Sequence, residues 1–145
     1  MDNNNITRFS LPDELARIEK PKCINPNKEY RILVPLNGEA EERMYRYDLY
    51  QDGEIRPEFY GIEFHEDTFY YMETRLFAFL NVECGLLINM YEEEVLDNDL
   101  LDKAIKVINL VISNSEDDVL FDFANKLIDC INVAKQQSTV VGFYF

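Results

Sequence analysis

The chain has no tryptophan, one histidine, five glycines and three cysteines in 145 residues, and each scarcity closes off some chemistry. One histidine, His65, cannot furnish the paired imidazoles of a zinc-binding helix. Nothing near it supplies the nucleophile and orienting carboxylate of a hydrolytic triad. Between Phe64 and Glu66 it reads as a surface or structural side chain at a strand end. The glycines are scattered, so neither a phosphate-cradling loop nor a dinucleotide-binding turn can be assembled. Cys23, Cys84 and Cys130 are odd in number and widely spaced, which fits neither a disulfide framework nor a zinc pattern. They are expected to be reduced, structural thiols. No stretch approaches the roughly 20 uninterrupted apolar residues of a membrane-spanning helix. The start, Met1-Asp2-Asn3-Asn4-Asn5, is polar and acidic where a secretory leader would be basic and then apolar. The expectation is a cytoplasmic protein without membrane contact, forming one globular domain over 1–145 with residues 1–9 flexible.

Positive charge is the other scarcity. The formal net charge is −14, from 28 acids against 14 lysines and arginines. Residues 1–47 hold eight of each sign, so the whole excess falls in residues 48–145, with twenty acids against six bases. Nucleic-acid affinity rests on clustered Lys and Arg neutralising phosphates, so direct nucleic-acid binding is not expected. Carboxylates alone could also serve a cation or a glycosidic bond. The run Glu92-Glu93-Glu94, Asp97, Asp99, Asp102 is rich in hard oxygen ligands. It lacks the bend glycine and ligand alternation of a calcium loop, and Val95-Leu96 and Leu100-Leu101 interrupt it. A glycosidase needs two carboxyls at a set separation beside a sugar cleft, and tryptophan, a common wall of such clefts, is missing. No enzyme, metal site or cofactor is expected.

What is present begins with a helix start at Ser10-Leu11-Pro12-Asp13, where Ser10 can cap and Pro12 suits the first turn, predicting a helix over about 10–19. A loop with Pro21 and Pro26 follows. Tyr30 to Val34 is a β-favouring run ended by Pro35 and Asn37-Gly38. Arg43 to Tyr50 alternates, with Tyr45, Tyr47 and Leu49 on one strand face. Asp52-Gly53 suits a tight hairpin turn. The return strand, Ile55 to Phe64, contains Pro57 and so belongs at an edge or carries a bulge. Met72, Leu76, Phe79 and Leu80 fit a helical stripe, and Leu86 to Met90 resembles a buried strand.

The last third carries the strongest periodicity. Leu101, Ala104, Ile105, Ile108, Val111 and Ile112 repeat at helical spacing after a cap at Asp97 or Asn98. Ser115, with Asp118 three residues on, opens a second helix whose apolar face is Leu120, Phe123, Ala124, Leu127, Ile128, Ile131 and Ala134. The short connection makes the two helices antiparallel neighbours. Val141, Phe143 and Phe145 alternate as a terminal strand. The predicted class is α+β: a small, mainly antiparallel sheet with a central hairpin, packed against two C-terminal antiparallel helices.

Acids at helix N-termini gain about 0.3–1 kcal/mol each from the helix dipole, which accounts for Asp97, Asp99 and Glu116 to Asp118. It does not account for three glutamates before the cap, or for the second acidic set around the hairpin, whose self-repulsion costs stability. Tyr45, Tyr47, Tyr50, Tyr60, Tyr70, Tyr71 and Tyr91 lie in or beside these acidic segments, and tyrosine is enriched at protein interfaces. The candidate partner-binding residues are therefore Tyr91, Glu92, Glu93, Glu94, Asp97, Asp99 and Asp102, with Asp48, Glu66, Asp67 and Tyr70. A small acidic α+β chain bearing tyrosines, with Tyr91-Glu92-Glu93-Glu94 leading into two amphipathic helices and an aromatic terminal strand, resembles the immunity proteins of bacterial contact-dependent inhibition and polymorphic toxin systems. The resemblance implies neutralisation of a cognate basic toxin domain, such as a nuclease. The alternatives are a nucleic-acid mimic that inhibits a DNA- or RNA-binding enzyme, and a small-molecule-binding domain.

Overall fold

The computed structural model describes residues 5–19 and 28–145; the loop with Pro21 and Pro26, and Cys23 within it, lie outside them. The chain runs β1 (Ile6–Arg8), α1 (Asp13–Glu19), β2 (Glu29–Pro35), α2 (Gly38–Tyr45), β3 (Tyr50–Gln51), β4 (Glu54–Ile55) and β5 (Phe59–His65). It continues through α3 (Glu66–Met72), a π turn (Glu73–Phe77), α4 (Ala78–Cys84), β6 (Glu94–Leu96), a 3-10 turn (Asn98–Leu100), α5 (Leu101–Ser113), α6 (Asp118–Gln137) and β7 (Val141–Tyr144). The fold is α+β. A five-stranded sheet has the order β1-β5-β2-β7-β6, and β3-β4 form a separate two-stranded hairpin. Only the β1–β5 pair among these is parallel. Among the described residues no helix is long and apolar enough to cross a membrane.

Alternation along the strands assigns side chains to two faces. Tyr30, Ile32 and Val34 of β2, Ile62 and Phe64 of β5, and Val141 and Phe143 of β7 belong to a large core under the helices. There α6 contributes Leu120, Phe123, Ala124, Leu127, Cys130, Ile131 and Ala134, all buried. The aromatic rings meet edge to face: Phe123 touches Phe9 at 5.1 Å and Phe64 at 5.3 Å between centroids, a geometry that adds about 0.5–1.5 kcal/mol per pair beyond area burial. On the opposite face Leu33 and Phe59 pack with Ala40 and Met44 of α2 and with Leu49 and Ile55 of the hairpin. The sheet is thus covered fully on one side and partly on the other. Cys84 and Cys130 are free and buried, and burial pushes both thiols up from their ordinary value.

Several expectations need correcting. Residues 6–9 are not a flexible lead: β1 pairs with β5 and Phe9 is buried. The first helix begins at Asp13, and the Pro12 carbonyl, accepting from Leu15 and Ala16 amides, closes its first turn. Asn37-Gly38 does not end in a turn. Asn37 Oδ1 accepts from the Ala40 amide at 2.8 Å and starts α2. Arg43 to Tyr45 are therefore helical, and the apparent alternation at Tyr45 and Tyr47 is a helix end followed by a turn. The Asp52-Gly53 turn is present, with φ of +54° and +82°, but its strands are two residues each. Pro57 breaks the return strand instead of marking an edge: β5 begins at Phe59, contains no proline and is paired on both sides.

The segment 66–84 is one continuous helical run through the π turn. A π turn takes an extra residue, so Phe77 turns inward and Phe79, expected in the apolar stripe, is half exposed. Leu86 to Met90 has Leu86 and Ile88 buried but forms no strand. Its Ile88 backbone is held instead by the Asn81 side-chain amide, which accepts from the Ile88 amide at 2.8 Å and donates to its carbonyl at 3.1 Å. Asp97 makes no side-chain cap, and Asn98 reaches the Thr139 carbonyl at 2.9 Å. Asp117 rather than Ser115 caps α6, accepting from Val119 and Leu120 amides at 3.0 and 3.1 Å.

Gly61 has no tolerance for a side chain, because a Cβ there would lie 1.9 Å from the Ile32 carbonyl oxygen. Gly61→Ala is expected to cost about 1–3 kcal/mol or more, the range of forced overpacking. Gly38→Ala, in open space at the start of α2, should be neutral or stabilise by up to about 1 kcal/mol. Urea unfolding of the two variants checks both signs.

Candidate functional site

The site is built where the end of α2 meets β6. At the C-terminus of α2 the Tyr47 amide donates to the Met44 carbonyl at 3.1 Å and the Asp48 amide to the Arg43 carbonyl at 2.8 Å. That pair of bonds is the Schellman helix stop, whose left-handed residue is usually glycine. Here it is Tyr47, at φ +58°, whereas α4 uses Gly85 at φ +67° for its own stop. The backbone accepts the steric cost and sets two rings, Tyr45 and Tyr47, 51% and 62% exposed, on either side of the stop.

Across from them runs β6, an end strand of the sheet. The Tyr47 hydroxyl donates to Glu93 Oε2 at 3.4 Å, the Tyr45 hydroxyl to Glu41 Oε2 at 3.2 Å, and the Tyr144 hydroxyl to the Met44 carbonyl at 3.3 Å. Tyr45, Tyr47 and Tyr144 line a shallow cavity of about 190 Å³ with Glu93 and Glu94, closed by Met44 and Val95. Burial, then Glu41 and Asp97, push the Tyr45 phenol up to about 12. Burial, with Tyr47 and Glu93 close by, raises that of Tyr144. Both shifts keep the Tyr45 and Tyr144 phenols neutral at physiological pH.

Glu94 has a second task. Its carboxylate accepts from the Val95 amide at 2.8 Å and from the Leu87 amide at 2.7 Å. A charged side chain on an end strand, occupying an amide, also discourages pairing with another chain. Glu93, Glu92, Asp97 and Asp99 are exposed, and among the described residues no lysine or arginine is paired with them or with Glu94. Arg31 lies opposite Tyr144 in the strand register, but it is engaged by Glu63 at 2.9 Å and stands over the Tyr50 ring at 5.4 Å. The rest of that sheet face neutralises itself. Arg8 meets Glu29 at 2.8 Å and Glu63 at 3.3 Å and donates to Nε2 of His65, whose Nδ1 lies 3.1 Å from Glu29.

The other expected site residues are distributed differently. Asp48 is clamped by Arg43 at 2.6 Å and Arg56 at 2.9 Å, and Asp102 by Lys135 at 2.5 Å. Glu66 is 5% exposed and accepts from the Tyr30 hydroxyl at 3.4 Å, so it is a core carboxylate and not a contact surface. Asp67 accepts from the Thr68 amide at 2.6 Å within the first turn of α3. Tyr70 is half-buried, with its hydroxyl on Met90 Sδ at 3.3 Å. Tyr91 is 85% exposed at the turn bridged by Asn89 and Glu92. With Glu66 and Tyr70 it raises the phenol of Tyr30, after burial, and Tyr30 belongs to the core on the helical face of the sheet. The expected set therefore divides: Glu93 and Glu94 line the tyrosine cavity, Asp97 acts on Tyr45 without lining it, and Glu66 and Tyr70 stand apart. Tyr144 was missed. Its out-of-phase place among Val141, Phe143 and Phe145 was the available signal.

A larger groove, of about 400 Å³, lies among the helices between Phe79, Val107, Leu110, Val111 and Leu120. Of its polar lining, Glu83 is exposed, and the other three side chains are occupied within the fold. Arg75 donates to the Tyr71 carbonyl at 2.8 Å and lies over the Tyr71 ring. Asn114 donates to the Leu110 carbonyl, and Ser115 accepts from the Asp117 amide. Recognition pockets combine apolar walls with convergent polar groups, and the tyrosine cavity has that combination. No family model, curated protein or solved structure matches the chain.

Hydrogen bonds from Arg56 first, and then from Arg43, hold the Asp48 carboxyl below the usual aspartate range. A depressed folded value contributes stability that is complete above the unfolded value of about 3.9 and is lost as pH falls through the folded one. Asp48→Asn should therefore lower the melting temperature at pH 6 and narrow its difference from wild type as pH falls below about 4. Melting curves between pH 6 and pH 2.5 measure the convergence.

Proposed function

We propose that this chain is an inhibitory binding protein of the immunity type, which neutralises a cognate basic toxin domain by docking it on the acidic, tyrosine-bearing face at the end of α2 and along β6. One observation carries the reading. Tyr45, Tyr47 and Tyr144 converge with Glu93 and Glu94, and Asp97 is close enough to act on Tyr45, although these residues come from three distant parts of the sequence. Carboxylates without cation partners among the described residues supply a steering field, and half-exposed rings supply contact area that loses little entropy on binding. Such a surface recruits a positively charged protein quickly and then holds it through the aromatic centre. The concentration of the −14 charge in residues 48–145 supports the same reading. Occlusion of a toxin's active or substrate-binding surface needs no catalytic group on the inhibitor.

The test uses the wild-type chain and the triple variant Glu92→Lys, Glu93→Lys, Asp97→Lys as baits in extracts of the native cells, at low and moderate salt. Wild type is expected to retain one stoichiometric basic protein, and co-expression should protect cells from it. The triple variant should associate with that protein at least about tenfold more slowly at low salt, the difference shrinking as salt screens the field. Equal association rates, or retention of many unrelated basic proteins without cell protection, would reject the proposal. The second result would point to a nucleic-acid mimic.

A further inference from the structure

We infer that the cavity between α2 and β6 is a socket for a single arginine side chain, with the guanidinium received between tyrosine rings and a glutamate. The inference rests on the proposed function only in taking the arginine from a basic protein partner. At about 190 Å³ the cavity is smaller than the roughly 300 Å³ at which pockets for drug-sized ligands begin. It suits a side-chain head group entering from the surface.

Its lining fixes the chemistry. Three of its walls are tyrosines, Tyr45, Tyr47 and Tyr144, whose ring faces attract a cation by their quadrupoles, most strongly when water is excluded. Glu93 adds a formal charge held within hydrogen-bonding reach of the Tyr47 hydroxyl. Glu94 adds a second, already fixed in position by two backbone amides. Apolar lining from Met44 and Val95 suits the methylene stem that precedes a guanidinium. A planar, weakly hydrated guanidinium can stack on a ring and fork to a carboxylate at once, whereas an ammonium is a strongly hydrated point charge. The fold leaves this place open, because Arg31, across the register from Tyr144, is turned to Glu63 and the Tyr50 ring.

The geometry also separates binding from stability. Tyr47 occupies a left-handed position that glycine would fill without strain. Replacing it removes a wall of the socket and relieves the backbone together, an outcome that a purely structural tyrosine would not give.

The probe is N-acetyl-arginine amide, titrated into the full chain at low salt and followed by amide and tyrosine-ring NMR shifts. N-acetyl-lysine amide and tetramethylammonium serve as comparison cations. Saturable shifts are expected to centre on Tyr45, Tyr47, Tyr144 and Val95, with arginine binding tightest. Glu93→Gln should weaken arginine binding severalfold. Tyr47→Phe should retain it, since the ring stays. Tyr47→Gly should abolish it while raising the melting temperature by a few degrees. Asp122→Asn, at an exposed position of α6 paired with Lys126 at 2.8 Å, should leave arginine binding unchanged. Shifts spread over all acidic segments in step with added charge would overturn the socket, as would equal or tighter binding of lysine or tetramethylammonium. If the arginine probe fails while a basic partner still binds in a salt-dependent way, the socket falls and the proposed function stands. If the probe binds and no partner is retained, the reverse holds.

Discussion

The tyrosine face depends on how closely α2 lies on the sheet, and a glycine on β7, beside Leu33 of β2, sets that distance. Gly61, Leu33 and Gly142 are neighbours across β5, β2 and β7. A Cβ on Gly142 would lie 2.9 Å from Met44 Sδ and 2.6 Å from the Tyr144 ring. With glycine there, Met44 reaches the sheet and is fully buried with Leu33, Ala40 and Phe59. Because Met44 is seated, the last turn of α2 is fixed, and with it the rings of Tyr45 and Tyr47. The same strand register brings β7 and β6 alongside, placing Tyr144 and Glu93 opposite those rings. Packing on one face thus assembles a polar site at its margin.

Charge is distributed by the same logic. An excess of acids tends to unfold a compact chain by self-repulsion, and much of the excess here is absorbed locally. Asp48 joins α2 to the segment after the hairpin through Arg43 and Arg56, Asp117 caps α6 and accepts from the Tyr71 hydroxyl at 2.5 Å, and Asp129 accepts from Tyr60. These carboxylates hold elements together. Those at 92–99 have no cation partners among the described residues, and they surround an end strand whose Val95 amide is already taken by a side chain. The fold therefore places part of its uncompensated charge where edge pairing is discouraged and a surface cavity is available.

Much of the architecture was legible along the chain. The 3.6-residue repeat of α6 is long and strong enough that all seven residues of its expected apolar face pack into the core, Ile128 only partly buried. The two-residue period of the tail predicted β7, and Asp52-Gly53 predicted the hairpin turn because so few residues tolerate positive φ. Several other short segments were not legible. Tyr45 and Tyr47 alternate as a strand would, yet the Asn37 cap and the burial of Ala40 and Met44 made the preceding residues helical. The π turn shifted Phe79 outward and Phe77 inward, since periodicity presumes an unbroken helix. Asn81 substituted for a strand partner at Ile88, a side-chain role that no pattern announces.

By itself, then, the sequence determined the class of fold, the sign and placement of the charge, and the lack of familiar catalytic patterns. Composition and periodicity act locally, and these properties are sums over local choices. Which carboxylates are exposed, and which tyrosines they accompany, was decided by tertiary structure. Glu66 and Glu93 are both glutamates in acidic segments, yet one is buried under Tyr30 and the other stands beside Tyr47. The difference arises because strand register and the docking of α2 bring together residues far apart in the chain, and only contact across the sheet determines whether a carboxylate meets a partner or water.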